Sequence, residues 1–194
     1  MTISKMIPKS LILRKHDILF LASIMAVLGT FSVLAGGIWD SASHALKIPD
    51  NFWTIQHVTV YTSVSIVVLS SSFGVLLSIQ NKKMLSSMVL LLAGSLLQLG
   101  GGYVDYNFHE KYGIDGLVTY SHLTIESGLL LASVGGYLTL AKFGYAKSSK
   151  IVPFAIVNIL FSATWIAFNL SLLIGATVLC IPVYDLFSSG CSVM

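Results

Sequence analysis

The sequence predicts an all-α integral membrane protein of about five transmembrane helices, N-terminus in and C-terminus out. Three observations carry this expectation. Mean hydropathy is +0.85 and 10% of residues are charged, where a soluble domain carries about 25%. Five apolar stretches, at about 17–38, 53–80, 84–104, 117–142 and 151–179, are each long enough to cross a hydrocarbon core of about 30 Å. Nine of the eleven Lys and Arg residues fall on one side of those stretches. Helices satisfy their own backbone polar groups in lipid, and no segment alternates as a barrel strand would.

The first stretch follows a basic start, Lys5, Lys9, Arg14 and Lys15, and lacks an Ala-x-Ala cleavage site. It reads as a retained signal anchor. The second and third stretches are joined by a short turn with Lys82 and Lys83, and the 142–150 loop holds Lys142, Lys147 and Lys150. Only Lys47 and Lys111 lie on the other side, so the loops carrying Asp40 to Asp50 and Asp105 to Asp115 are expected outside. The fifth stretch has Pro153 near its start. The net charge of +3 is this cytoplasmic fringe, and no nucleic-acid patch is present. Residues 1–194 form a single membrane domain with tails at 1–16 and 181–194. Cys180 and Cys191 fall on the outer side, as a disulfide or as two thiols.

One spacing occurs twice, Asp-x3-His-x12-His. It is Asp40, His44, His57 and then Asp105, His109, His122, each position offset by 65 residues. Four of the five histidines lie in these two copies. Gly36-Gly37-Ile38-Trp39-Asp40 aligns without gaps on Gly101-Gly102-Tyr103-Val104-Asp105. The expected organisation is a two-helix unit repeated in parallel, about 17–80 and 84–142, with the fifth helix at about 151–179 outside the repeat.

Asp and His at i and i+4 share a helix face. Twelve residues then let the chain turn and bring a second imidazole back at similar depth. Three protein ligands leave a coordination position open, as a catalytic metal requires. Two imidazoles and one carboxylate suit copper, iron or zinc better than calcium or magnesium. A lone Asp-x3-His is more often a cap and a carbonyl-bonded ring, whereas the duplicated pattern favours metal. Haem b bound by paired histidines is the alternative, with Gly36, Gly37 and Gly100 to Gly102 giving room for a macrocycle. That alternative makes the chain an accessory or haem-bearing component of a respiratory oxidase or quinol-oxidising complex. An ion transporter would carry more polar residues deep in its helices.

Tyr61 follows His57 by one turn, and Glu126 follows His122 by one turn. Both are candidates for supporting the centre, Glu126 as a proton or ligand group. Gln98 reads as polar glue between helices. Trp39, Trp53 and the tyrosines read as an aromatic belt. Asp50, Asn51 and Gln56 are expected in the outer loop, and His16 in solvent or among headgroups.

These motifs resemble those of the copper membrane monooxygenases, the family of particulate methane monooxygenase and ammonia monooxygenase. The resemblance is to the third of that family's three subunits. Its membrane region has Asp-x3-His-x12-His and, further on, Asn-x3-His followed by His after a similar gap. Asp40, His44 and His57 match the first pattern, and His109 and His122 the second, with Asp105 where the family more often has Asn. The resemblance covers roughly residues 36–130. It implies a hetero-oligomer with two other membrane subunits, and copper held by Asp40, His44 and His57 and by Asp105, His109 and His122. It implies hydroxylation of ammonia or an alkane by dioxygen, with two electrons from quinol. The implied setting is a multi-pass protein of the cell membrane with its metal sites toward the extracytoplasmic side.

Overall fold

A computed structural model of the chain describes residues 9–46, 52–112 and 118–178. It is helical, with no strand among the described residues. The helices are α1 (Lys9–Ala45), α2 (Ile55–Ser78), α3 (Lys82–Tyr112), α4 (Tyr120–Ala141), the single turn α5 (Tyr145–Ser148) and α6 (Val152–Thr177). Five of them are long and apolar enough to cross a membrane. Cys180, Cys191, Asp50, Asn51 and Asp115 lie outside the described residues.

The ends obey local chemistry. Asn81 Oδ1 accepts from Met84 N at 3.3 Å at the start of α3. Thr119 caps α4, its Oγ1 accepting from His122 N at 3.2 Å. Pro153 stands in the first turn of α6, where its missing N–H costs no helical bond. After α4, Gly144 takes φ 83° and turns the chain into α5, a helical turn inside what the sequence presents as the 142–150 loop. Along the spans, Ser and Thr hydroxyls return to carbonyls one turn back, as Ser23 does to Leu19 at 2.7 Å and Thr30 to Ala26 at 2.8 Å. This keeps each buried hydroxyl satisfied without water.

Two helices outrun the expectation. The apolar stretches stop near 38 and 104, but α1 continues to Ala45 and α3 to Tyr112. Hydropathy measures immersion in lipid, not helicity, and nothing in Asp40–Ala45 or Asp105–Tyr112 breaks a helix. Asp40, His44, Asp105 and His109 are therefore on the last turns of α1 and α3, as their i, i+4 spacing expects.

The main packing pairs are α3 with α4 and α1 with α2, and α6 lies against α4 and α1. Small residues set the approach. A Cβ at Gly94 of α3 would fall on the backbone of Gly128 and Ala132 of α4. A Cβ at Gly29 of α1 would meet Val67 Cγ2 at 2.8 Å and Ser63 O at 3.5 Å on α2. A Cβ at Gly36 would stand 2.8 Å from the Val60 side chain, and one at Gly101 would stand 2.8 Å from that of Ile125.

The bundle has unlike ends. One holds Asp40, His57, Asp105 and His122 around a cavity. At the other, Lys147 Nζ pairs with Asp17 at 2.6 Å and Lys142 Nζ donates to the Lys83 carbonyl. The helix between Ile55 and Ser78 separates them by about 35 Å at 1.5 Å per residue. His16 is exposed and lies edge-on to Phe143 at this basic end.

Candidate metal centre

Both α2 and α4 begin with the same short phrase, Thr-x-x-His, at the same 65-residue offset. Thr54 is the N-cap of α2 and Thr119 that of α4, so His57 and His122 sit in the first turn of their helices. The positive end of a helix dipole favours nearby carboxylates. Asp40 and Asp105 come from the ends of the antiparallel neighbours, α1 and α3. Gln56, expected in a loop, is buried and donates to Ser43 Oγ at 2.7 Å, fastening the start of α2 to the end of α1.

In the first copy, His57 Nε2 lies 3.4 Å from Asp40 Oδ1. His44 is on α1 one turn beyond Asp40, and its side chain is outside the described structure. In the second copy, Asp105 faces both rings. His122 Nε2 is 3.2 Å from Oδ1 and His109 Nε2 is 3.9 Å from Oδ2. The copies also touch each other. Donor atoms of His57, Asp105 and His109 lie within 4.8 Å of one another, all three residues buried. The His57 and His109 rings are 5.5 Å apart at 73°. The structure thus draws the two spacings into one cluster at one end of the bundle.

Neighbouring groups orient the donors. His57 Nδ1 is 3.0 Å from the Phe52 carbonyl. A carbonyl only accepts, so this contact suits the tautomer with its proton on Nδ1, which turns Nε2 toward Asp40 as a group able to take a proton or a metal ion. A carbonyl-bonded Nδ1 is also how metal-binding imidazoles are held. Phe52 stacks on His57 at 5.3 Å and on Tyr61 at 5.2 Å, covering both rings with apolar surface.

Asp105 is 1% exposed, and a buried carboxylate needs partners. Tyr61 OH donates to Oδ2 at 3.3 Å and Ser121 Oγ to Oδ1 at 3.2 Å. Gly102 makes this possible, because a Cβ there would run into the Tyr61 ring. Glu126 behaves differently, although it occupies the position equivalent to Tyr61. It accepts from Asn169 of α6. Gln98 is buried beside Gly94, its Nε2 donating back to the Gly94 carbonyl at 3.4 Å.

A cavity of about 80 Å³ opens onto the cluster. It is lined by Asp40, His57, Asp105, His122 and Glu126 together with apolar residues that include Leu34, Leu129 and Trp165. That volume admits a few waters or a molecule of a few heavy atoms. Tyr61 separates it from an open aromatic groove between α2 and α3 that includes Trp53 and Tyr103. Trp39, Trp53 and Tyr103 are exposed on the bundle surface.

The His57–Asp40 and His122–Asp105 contacts are 3.4 and 3.2 Å and the His109–Asp105 contact is 3.9 Å. The donor atoms of His57, Asp105 and His109, within 4.8 Å of one another, are close enough to share a metal ion. Asn169 and Trp165 do not stand out in the sequence as candidates. α6 carries no repeated motif, and its one signal is Asn in an apolar helix, a polar residue that lipid does not tolerate unpaired. No family model, curated protein or solved structure matches this chain.

Proposed function

We propose that this chain is the metal-binding membrane component of a copper-dependent monooxygenase that oxidises a small substrate, ammonia or an alkane, with dioxygen. The observation that carries this reading is the buried convergence of His57, Asp105 and His109 from both copies of the motif, with Asp40 and His122 beside them. Those five residues would supply the ligands of one or two copper ions, and His44 would join them from α1. Bound copper would supply dioxygen activation. The chain itself orients the imidazoles through the Phe52 carbonyl and the Thr119 cap, holds Asp105 through Tyr61 and Ser121, and excludes bulk water with Phe52.

The other parts of the reading have their own support. The cavity of about 80 Å³ suits ammonia or a short alkane. Gly29 faces Ser63 and Val67 while Gly94 faces Gly128 and Ala132, every position offset by 65, which favours a duplicated hairpin with α6 added. Basic residues at the end remote from the cluster favour an inside N-terminus and a centre toward the extracytoplasmic face. Partner membrane subunits and quinol as reductant follow from the family resemblance.

Elemental analysis and an optical spectrum of the native membrane assembly test the reading. Copper without a Soret band is expected, and His57→Ala is expected to lower the copper content. A Soret band, or copper content unchanged in His57→Ala, would overturn it.

A further inference from the structure

We propose that Asp105 bridges two metal ions, so that the buried donors form a single two-ion centre instead of two independent sites. This rests on the metal-binding reading above and adds to it the number of ions and the residue that joins them.

The orientation of the carboxylate is the starting point. A carboxylate chelating one ion turns both oxygens toward one point. Asp105 instead offers Oδ1 to His122 of α4 and Oδ2 to His109 of α3. His109 faces Oδ2, and a donor atom of His57 lies within 4.8 Å of donor atoms of both residues, with Asp40 next to His57 at 3.4 Å. His122 faces Oδ1, and the cavity beside it is also lined by His57 and Asp40. Each oxygen therefore has its own imidazole. Ions sharing a carboxylate in this way sit about 3.5–4 Å apart in two-metal sites.

The supporting bonds follow the same division. Tyr61 donates to Oδ2 and Ser121 to Oδ1, from different helices. The plane of the carboxylate is thereby held between α2 and α4. Asn at position 105 would offer one acceptor oxygen and an amide nitrogen that does not bind a cation. The charge balance is also suitable, since Asp40 and Asp105 together neutralise two monovalent ions. Copper(I) is accordingly the probe.

The full-length chain in lipid nanodiscs is loaded with copper(I) under argon and washed. Bound copper is counted by elemental analysis, and X-ray absorption reads copper–copper scattering. Two ions per chain are expected, with scattering at about 3.5–4 Å. Asp105→Asn is expected to halve the count and abolish that scattering. His122→Ala is expected to leave one ion at His57 and His109, and serves if Asp105→Asn fails to fold. Two ions without copper–copper scattering, or two retained in Asp105→Asn, would overturn the bridge while leaving the metal reading intact. One ion in the native chain would do the same. No bound copper would overturn both.

Discussion

The two copies of Asp-x3-His-x12-His are identical in spacing and unequal in setting. Asp40 keeps 15% of its side-chain surface exposed, while Asp105 keeps 2%. The residue one turn after the returning histidine is Tyr61 in one copy and Glu126 in the other. Tyr61 reaches across to the second copy's carboxylate, and Glu126 reaches out to α6. The packing differs in kind as well. The α3–α4 pair meets backbone to backbone at Gly94 and Gly128, whereas the α1–α2 pair meets at Gly29 through the Val67 side chain. A duplicated motif thus marks where donors lie. It does not assign them equal parts, because burial and neighbours are supplied by the rest of the bundle.

The packing contrast gives the largest expected effect. Gly94→Ala puts a methyl group against α4 backbone, which no rotamer relieves, and is expected to cost about 3 kcal/mol. Gly29→Ala meets a side chain that yields, and is expected to cost about 1 kcal/mol. Thermal unfolding in detergent compares the two, and equal losses would erase the distinction.

Next comes the carboxylate pair. Asp105→Ala is expected to weaken copper binding by more than about 100-fold, and Asp40→Ala by about 10-fold. Competition titration against a chromogenic chelator measures both. The reverse order would make the first copy the main site.

Tyr61→Phe removes one of the bonds on Asp105 and is expected to weaken copper binding about 10-fold. Glu126→Gln keeps an acceptor for Asn169 and is expected to change affinity less than about threefold. A larger effect at Glu126 than at Tyr61, in the same titration, would bring Glu126 into the ligand set. The smallest effect is at Gly100, where a Cβ meets nothing within 4 Å. Gly100→Ala is expected to stabilise α3 by about 0.5–1 kcal/mol, read again from thermal unfolding.

Much of the bundle was legible in the sequence. Five apolar stretches became five long helices because lipid leaves the backbone no other way to satisfy itself. Hydropathy alone misses the helix ends near 45 and 112, since it falls at the water interface while the helical bonds continue, and the i, i+4 Asp–His spacing is the signal that carries them. Gln56 reads as a loop residue and is a buried tie between α1 and α2, because nothing local to Gln56 reveals Ser43 opposite it. Asn169 and Trp165 are silent in the sequence because α6 carries no motif and its position against α4 is a matter of packing.

By itself the sequence determined the five helices long and apolar enough to cross a membrane, the residue types able to hold a cation, and the i, i+4 spacing that puts Asp105 and His109 on one face. Those properties are periodic and local, so they can be read along a line of letters. Tertiary structure alone decided that the two copies meet, that Asp105 turns one oxygen to His109 and the other to His122, and that Tyr61 crosses between the hairpins. Such contacts depend on how closely helices approach, which glycines permit but only the assembled bundle sets.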